Sequence, residues 1–139
     1  MILLDTDILS IMAWPNSPSA QEVLRALEAE NDVVCTTIVN YEEQMRGWLA
    51  YLASAKKVVE QIERYAKLDR LVKLFSRLTL LAFDENAAVR FQSFKKTKIR
   101  VGSMDLKIAS IALANDARIA TRNRSDFDQI PGLQFLKLF

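Results

Sequence analysis

Short apolar runs that alternate with longer amphipathic stretches constrain the fold of this chain more than any other feature of its sequence. Four such runs stand at positions 1–5 (MILLD), 32–36 (DVVCT), 78–83 (LTLLAF) and 117–121 (ARIAT). Continuous runs of this length are typical of strands that are covered on both faces. Their alternation with helices predicts an α/β sandwich with a mostly parallel sheet, to which 134–139 (QFLKLF) can add a fifth strand at an edge.

The stretches between these runs are predicted helices. Ser17 followed by Pro18, a Thr at position 36 or 37, and Asp84 are residues typical of helix starts. With only three Gly and three Pro in the chain, the connections are expected to be short. We predict helices at 6–14, 17–30, 37–52, 54–76, 85–96 and 103–116.

The composition excludes several kinds of catalysis. The chain of 139 residues, expected to form one domain over 1–139, contains no His, which removes Ser-His-Asp and Cys-His catalysis and His-ligated zinc. Its single cysteine, Cys35, excludes an internal disulfide and is expected to be an inert buried thiol. A net charge of +2 is compatible with a polyanionic partner without establishing one. With no signal peptide and no apolar stretch of about 18 residues, we expect a cytoplasmic protein.

Acidic residues recur where the predicted strands end and helices begin. Asp5 ends the first strand, Glu43 lies on the helix after the second, and Asp105 lies in the first turn of the helix before the fourth. Asp126 and Asp128 follow the fourth strand. Sites in parallel sheets form outside the carboxyl ends of the strands, so these acids can converge at one edge.

Several carboxylates in one cleft raise each other's pKa, and a divalent cation relieves that conflict. Oxygen ligands suit Mg²⁺ or Mn²⁺, and the chemistry that such a site serves best is metal-assisted hydrolysis of a phosphodiester. Each acid also has a simpler interpretation. Asp7 and Asp105 can be helix N-terminal acids, Glu42 and Glu43 an exposed pair, and the segment 125–128 (SDFD) a turn.

Four segments of the chain resemble, in order, the four motifs of the PIN-domain family, and in particular of the VapC-type ribonuclease toxins of bacterial toxin–antitoxin pairs. The segments are LLDTDILS (3–10), TTIVNYEEQMRG (36–47), GSMDLKIASIAL (102–113) and IATRNRSDFDQIPGL (119–133). The resemblance covers nearly the whole chain. It implies a three-layer α/β/α domain that hydrolyses RNA with Mg²⁺ or Mn²⁺ by a metal-activated water and without a covalent intermediate.

The resemblance assigns a metal ligand to each motif, acting directly or through water: Asp5, Glu43, Asp105 and Asp126. Gly47, four residues after the acid of the second motif, favours Glu43 over its neighbour Glu42. Thr6, Thr121 and Asn123 are implied supporting residues. Asp7 stands where the family usually has Asn, which leaves its role open. Asp128 is then a supporting or surface acid.

Basic residues beside these motifs are candidates for contact with the RNA backbone. Arg122 and Arg124 flank the fourth motif and are the favoured pair. The basic segment 95–100 either follows the RNA as well or only solubilises a helix end and favours its dipole.

The resemblance also implies a homodimer and a cognate antitoxin that covers the site. The amphipathic segments 17–30 and 54–76 are candidate contact surfaces. Trp14, Trp48 and Tyr51 are large enough to anchor an interface, and a place in the core is the alternative for each.

Two other functions are compatible with parts of the sequence. A catalytically silent PIN-like module that binds RNA or protein would tolerate a broken acidic set, whereas all four positions are filled here. The pair Asp5-x-Asp7 also suggests a phosphatase of the haloacid-dehalogenase type. Those enzymes need Thr or Val where this chain has Leu9, and a late Gly-Asp pair that this sequence lacks.

Overall fold

The computed structural model describes residues 1–138, which contain one sheet of five parallel strands. The strands are β1 (Ile2–Leu4), β2 (Val34–Thr37), β3 (Thr79–Leu81), β4 (Arg118–Ala120) and β5 (Gln134–Phe135). Their order across the sheet is β3-β2-β1-β4-β5, and each neighbouring pair runs parallel. The predicted parallel sheet is confirmed. Of the edge strand predicted at 134–139, only the first two residues pair, and Phe139 lies outside the described residues.

Helices cover both faces of the sheet. They are α1 (Thr6–Met12), α2 (Pro18–Glu30), α3 (Ile38–Ala53), α4 (Val58–Ser76), α5 (Glu85–Lys96) and α6 (Ser103–Ala114), with a 3₁₀ turn at Arg124–Asp126. One apolar cluster joins α5 and α6 to the first face, and a second joins α1, α2 and α4 to the other. The three-layer α/β/α architecture expected from the resemblance is therefore confirmed.

The central strand β1 is buried on both faces. Leu3 packs in the cluster with α5 and α6, whereas Ile2 and Leu4 pack in the cluster with α1, α2 and α4. All three side chains are fully buried, which explains why the run is apolar at every position. Because β2 and β4 flank β1 in parallel, the residues that follow these three strands meet at one edge of the sheet.

Local capping explains most helix boundaries, and one exception has a clear cause. The side chains of Ser17, Thr37 and Asp84 accept hydrogen bonds from the first turns of α2, α3 and α5. The predicted start of α4 at Ser54 is wrong, because the Ser54 hydroxyl donates to the Tyr51 carbonyl (2.7 Å) and closes α3 instead. Helix α4 begins four residues later, at Val58.

Only some of the apolar residues that recur along α4 are buried in the core. Leu71 and Phe75 are buried against the sheet, but Val58, Ile62 and Tyr65 are 72%, 66% and 58% exposed. These three define an exposed apolar stripe on the first two turns of the helix. No helix among residues 1–138 has the length and apolar character needed to cross a bilayer.

The single cysteine is buried as predicted. Cys35 lies on β2, and its thiol donates to the Ile2 carbonyl across the sheet (3.3 Å). Burial raises the pKa of this thiol to about 11, so the thiolate is disfavoured near neutral pH.

Candidate active site

Asp5 lies at the centre of the polar residues that follow the strands. It comes directly after β1 and caps α1, with its Oδ1 accepting from the Thr6 N–H (2.8 Å). Its Oδ2 accepts from the Thr121 hydroxyl (2.9 Å), which follows β4. Only 6% of Asp5 is exposed, and burial raises its pKa to about 6 although both hydrogen bonds act in the opposite direction. The protein therefore holds a carboxylate where ionisation is unfavourable.

Asn40 also contacts Asp5, and the sequence analysis did not identify it. Its side-chain amide donates to Asp5 Oδ1 (3.3 Å) and to the Thr6 hydroxyl (3.1 Å). Its Oδ1 accepts from the Thr37 hydroxyl (2.6 Å), and that hydroxyl in turn accepts from the Asn40 N–H (3.0 Å). Asn40 is fully buried, so the helix cap of α3 also fixes the partner of Asp5. A Thr three residues before Asn at this sheet edge was the signal available in the sequence.

Gln44 lies one turn after Asn40 and was likewise not identified from the sequence. Its side-chain amide donates to the Thr6 carbonyl and to the Ser10 hydroxyl, both at 3.0 Å. Gln44 is buried, and these bonds fasten α3 to α1 beside Asp5. The position of Thr6 is thus set by two amides of α3, one on its hydroxyl and one on its carbonyl.

Asp7 holds the segment that follows β4. Its Oδ2 accepts from the Arg122 N–H (2.7 Å). The hydroxyl of Thr121 accepts from the Asn123 N–H (3.1 Å), so the three residues after β4 are tied to each other and to α1. This contact gives a structural role to Asp7, whose role the sequence left open.

The remaining three predicted acids share one electrostatic environment. The pKa of Asp105 is raised to about 6, mainly by burial and then by the negative charges of Asp126 and Glu43. Asp105 in turn raises the pKa of Asp5. Asp105 is thus the acid that links the other three electrostatically, although the four come from four separate segments.

This donor set fits a hard divalent cation. Oxygen atoms of Asp and Glu are the ligands that Mg²⁺ and Mn²⁺ prefer, and a cation stabilises the ionised forms that burial and mutual repulsion disfavour. Within residues 1–138, no three Asp, Glu or Cys side chains are grouped tightly enough, as they stand, to enclose an ion.

Glu42 and Asp128, which are close in sequence to the predicted ligands Glu43 and Asp126, each form an ion pair with an arginine at the surface. Glu42 is exposed and forms an ion pair with Arg46 one turn later on α3. Asp128 is exposed and lies 4.0 Å from Arg124 in a surface ion pair. Half-buried Glu43, in contrast, acts on Asp105.

Basic side chains border the site on the side of β4 and β5. Arg122 and Arg124 line an open groove of about 790 Å³ together with Lys137. The Arg124 guanidinium lies over the Phe135 ring, with its carbon 4.5 Å from the ring centre. The basic segment 95–100 begins in the last turn of α5, where Lys95 lies over Phe91 and its charge favours the helix dipole.

Comparisons with known proteins give a consistent result. A model of the PIN domain family matches residues 2–133. The chain is 29% identical over 135 residues to Ribonuclease VapC2 of Rickettsia felis, an alignment that covers 94% of this chain and 92% of that protein. Its fold is similar to a crystal structure of VapBC2 from Rickettsia felis bound to a DNA fragment from their promoter (TM-score 0.71, 26% identity, 97% of each chain). It is also similar to VapBC-1 from nontypeable Haemophilus influenzae (TM-score 0.75, 23% identity, 97% of this chain and 96% of that one).

Proposed function

The chain belongs to the PIN domain family, and on that premise we propose that it is a divalent-metal-dependent ribonuclease, the toxin of a toxin–antitoxin pair. The observation that carries the proposal is that the charges of Glu43 and Asp126 act on Asp105, and that the charge of Asp105 acts on buried Asp5. The relative that is named a ribonuclease supports the reaction. RNA would be hydrolysed at this edge of the sheet. The chain would form a single nuclease domain over 1–139, and the protein would act in the cytoplasm.

Asp5, Glu43, Asp105 and Asp126 would hold Mg²⁺ or Mn²⁺, directly or through water. When bound, such an ion lowers the pKa of water and stabilises charge on phosphoryl oxygens. Asn40 orients the first of these ligands by donating to its Oδ1.

Thr121 acts on the other side of Asp5 and donates to its Oδ2. Together with the amide of Asn40, this hydroxyl fixes the plane of the carboxylate. Partners of this kind, which orient a ligand without touching the metal, tune metal affinity in known sites.

Arg122 and Arg124 would contact the phosphates of the RNA. Both are exposed and line the groove beside the fourth motif. The hydrogen bond from the Arg122 N–H to Asp7 fixes the backbone of this segment relative to α1. Contacts of this type give affinity without reading base sequence.

A protein partner is the second part of the proposal. The similar structures from Rickettsia felis and Haemophilus influenzae are named as VapBC assemblies, which supports an antitoxin for this chain. The apolar stripe of Val58, Ile62 and Tyr65 supports a contact with that partner or with a second copy of the chain, because exposed apolar patches on a folded domain often mark interfaces.

The ribonuclease proposal is tested by incubating purified protein with total cellular RNA, with Mg²⁺ or Mn²⁺ and with EDTA. The Asp105→Asn variant removes a proposed ligand, and Asp69→Asn is its matched control, since Asp69 pairs with Lys73 on the exposed surface of α4. We expect discrete fragments that need both the metal and Asp105. RNA that is bound but never cut by the folded wild-type chain would contradict the proposal and favour a silent binding module.

A further inference from the structure

A cavity of about 550 Å³ opens beside the proposed metal ligand Glu43, and its lining residues are different from those of the groove of Arg122 and Arg124. Glu43 belongs to its wall, so the cavity begins at the acidic cluster itself. The same helix continues the wall with Trp48 and Tyr51, whose rings meet edge to face at 5.5 Å between centres. A smaller cavity of about 80 Å³ shares Trp48 with it and extends to Trp14.

Gly47 forms part of this wall, and no contact among residues 1–138 requires a glycine there. It lies in the interior of the 16-residue helix α3, where glycine destabilises a helix relative to alanine. A Cβ at this position would meet no atom within 4 Å, so neither a close approach nor a turn requires glycine. The residue leaves open the space between Glu43 and the two rings.

The far wall of the cavity carries positive charge. Lys67 reaches over from α4, and its ammonium lies 5.8 Å from the ring centres of both Tyr51 and Trp14. Its ion-pair partner, Glu63, lies one turn away at 3.3 Å and is largely exposed. Arg70 lines the smaller cavity, with its guanidinium over Trp14. Aromatic rings and cations thus lie side by side in the two cavities, and the Arg64 guanidinium also lies 3.9 Å from the centre of the Tyr51 ring.

We infer that this cavity is a subsite for one unpaired base of the RNA next to the bond that is cut, with Lys67 on the adjoining phosphate; this rests on the proposed ribonuclease function. Aromatic rings beside basic side chains are the recurring pattern of single-strand recognition, in which rings stack on the bases and cations contact the backbone. The cavity shares Glu43 with the proposed metal site, where the scissile phosphate would lie, so a base held there belongs to a nucleotide next to the cut.

The subsite selects single-stranded over double-stranded RNA. A base has to leave its stack to enter the space between the aromatic rings and Gly47, and a paired base in a duplex does not expose its face. The groove of Arg122 and Arg124 includes Thr121, the partner of Asp5, so the groove and the cavity give the RNA strand two separate points of attachment next to the acids.

The test fills the cavity and removes bases one at a time. Gly47→Leu places a side chain in the open space and, as a change to a better helix former, does not endanger the fold. The control is Ala53→Leu, which adds the same side chain at an exposed position of α3 outside the wall. All chains carry Asp105→Asn so that the RNA stays intact, and thermal denaturation checks that each is folded.

Binding is measured with a set of short single-stranded RNAs in which each nucleotide in turn lacks its base. With Gly47 present, we expect loss of the base at one position to weaken binding about tenfold, the magnitude of one stacked base. In Gly47→Leu the intact RNA should bind about tenfold more weakly, and the same missing base should no longer matter. Ala53→Leu should keep the sensitivity of the parent chain.

Tight binding of intact RNA by Gly47→Leu would overturn the subsite, and so would equal effects of missing bases at all positions. Cleavage by chains that retain Asp105 separates this result from the proposed function. If Gly47→Leu cuts and binds like the parent while Asp105→Asn does not cut, the ribonuclease stands and the subsite is wrong. If no chain cuts RNA, the proposed function is wrong, and a position-specific effect that needs Gly47 would then show a base-binding cavity with no cut bond beside it.

Discussion

The side-chain amide of Asn40 spans from the first turn of α3 to the end of β1, where it donates to Asp5 Oδ1 at 3.3 Å and to the Thr6 hydroxyl at 3.1 Å. This contact joins the two segments that carry the first two acidic motifs. A buried carboxylate is costly unless hydrogen-bond donors surround it, and Asn40 supplies a donor without adding charge.

Removal of the Asn40 side chain should weaken both the fold and the metal site. We expect Asn40→Ala to lower the free energy of unfolding by about 1–3 kcal/mol, because it leaves buried polar groups without a partner. Mn²⁺ affinity should fall by about 10–100-fold, as for other residues that orient a ligand. Urea denaturation in EDTA and Mn²⁺ titration measure the two effects. Asn86→Ala is the control, since Asn86 contacts Arg90 on the exposed face of α5.

Asp7 should respond to substitution as a residue that holds a loop, not as a metal ligand. An asparagine keeps an oxygen that can accept from the Arg122 N–H, which now lies 2.7 Å from Asp7 Oδ2. We therefore expect Asp7→Asn to keep most of the cleavage activity and Asp7→Ala to lose about tenfold or more. Single-turnover cleavage of RNA under saturating Mn²⁺ distinguishes them. Equal and severe losses in both variants would instead indicate that Asp7 binds the metal.

The stability of the metal-free protein should fall as the pH rises from about 4 to about 6. The folded-state pKa values of Asp5 and Asp105 are raised from 3.8 to about 6, so the folded protein binds these protons more tightly than the unfolded chain. Their contribution to stability is complete below about pH 4 and is lost as the pH rises past about 6. Asp32, whose pKa is lowered, acts in the opposite direction and only at more acidic pH.

Urea denaturation in EDTA at a series of pH values measures this loss. Asp105→Asn should flatten the pH dependence, and saturating Mn²⁺ should raise stability more at pH values above 6 than below. A metal-free protein that becomes more stable between about pH 4 and pH 7 would contradict the account.

The sequence predicted the local features of the fold well, because their causes are local. Thr37 and Asp84 cap helices through residues three positions away, and such short-range bonds can be recognised from residue type alone. Ser54 shows the limit of the same reasoning. A serine can begin one helix or end another. Here the Ser54 hydroxyl donates to the carbonyl of Tyr51, three residues earlier, and residue type alone does not distinguish the two roles.

The contacts of the site that depend on tertiary packing could not be predicted in the same way. Asn40 and Gln44 are polar residues on a helix, for which a solvent-exposed position is the usual expectation, yet both are buried against α1 and the end of β1. The spacing of apolar residues likewise predicted an amphipathic helix α4, but it did not predict which of these residues are buried in the core. Val58 and Ile62 stay exposed, whereas Phe75 does not.

The central claim is that four carboxylates from four segments form one cation site, and Mn²⁺ binding by isothermal titration tests it most directly. The wild-type chain is compared with single variants at the four acids and with two controls at the neighbouring acids that form surface ion pairs. The variants are Asp5→Asn, Glu43→Gln, Asp105→Asn and Asp126→Asn, and the controls are Glu42→Gln and Asp128→Asn. We predict that each of the four weakens Mn²⁺ binding about tenfold or more, while both controls bind as the wild type does. Wild-type affinity in the Asp5 and Asp105 variants, in chains shown to be folded, would contradict the account.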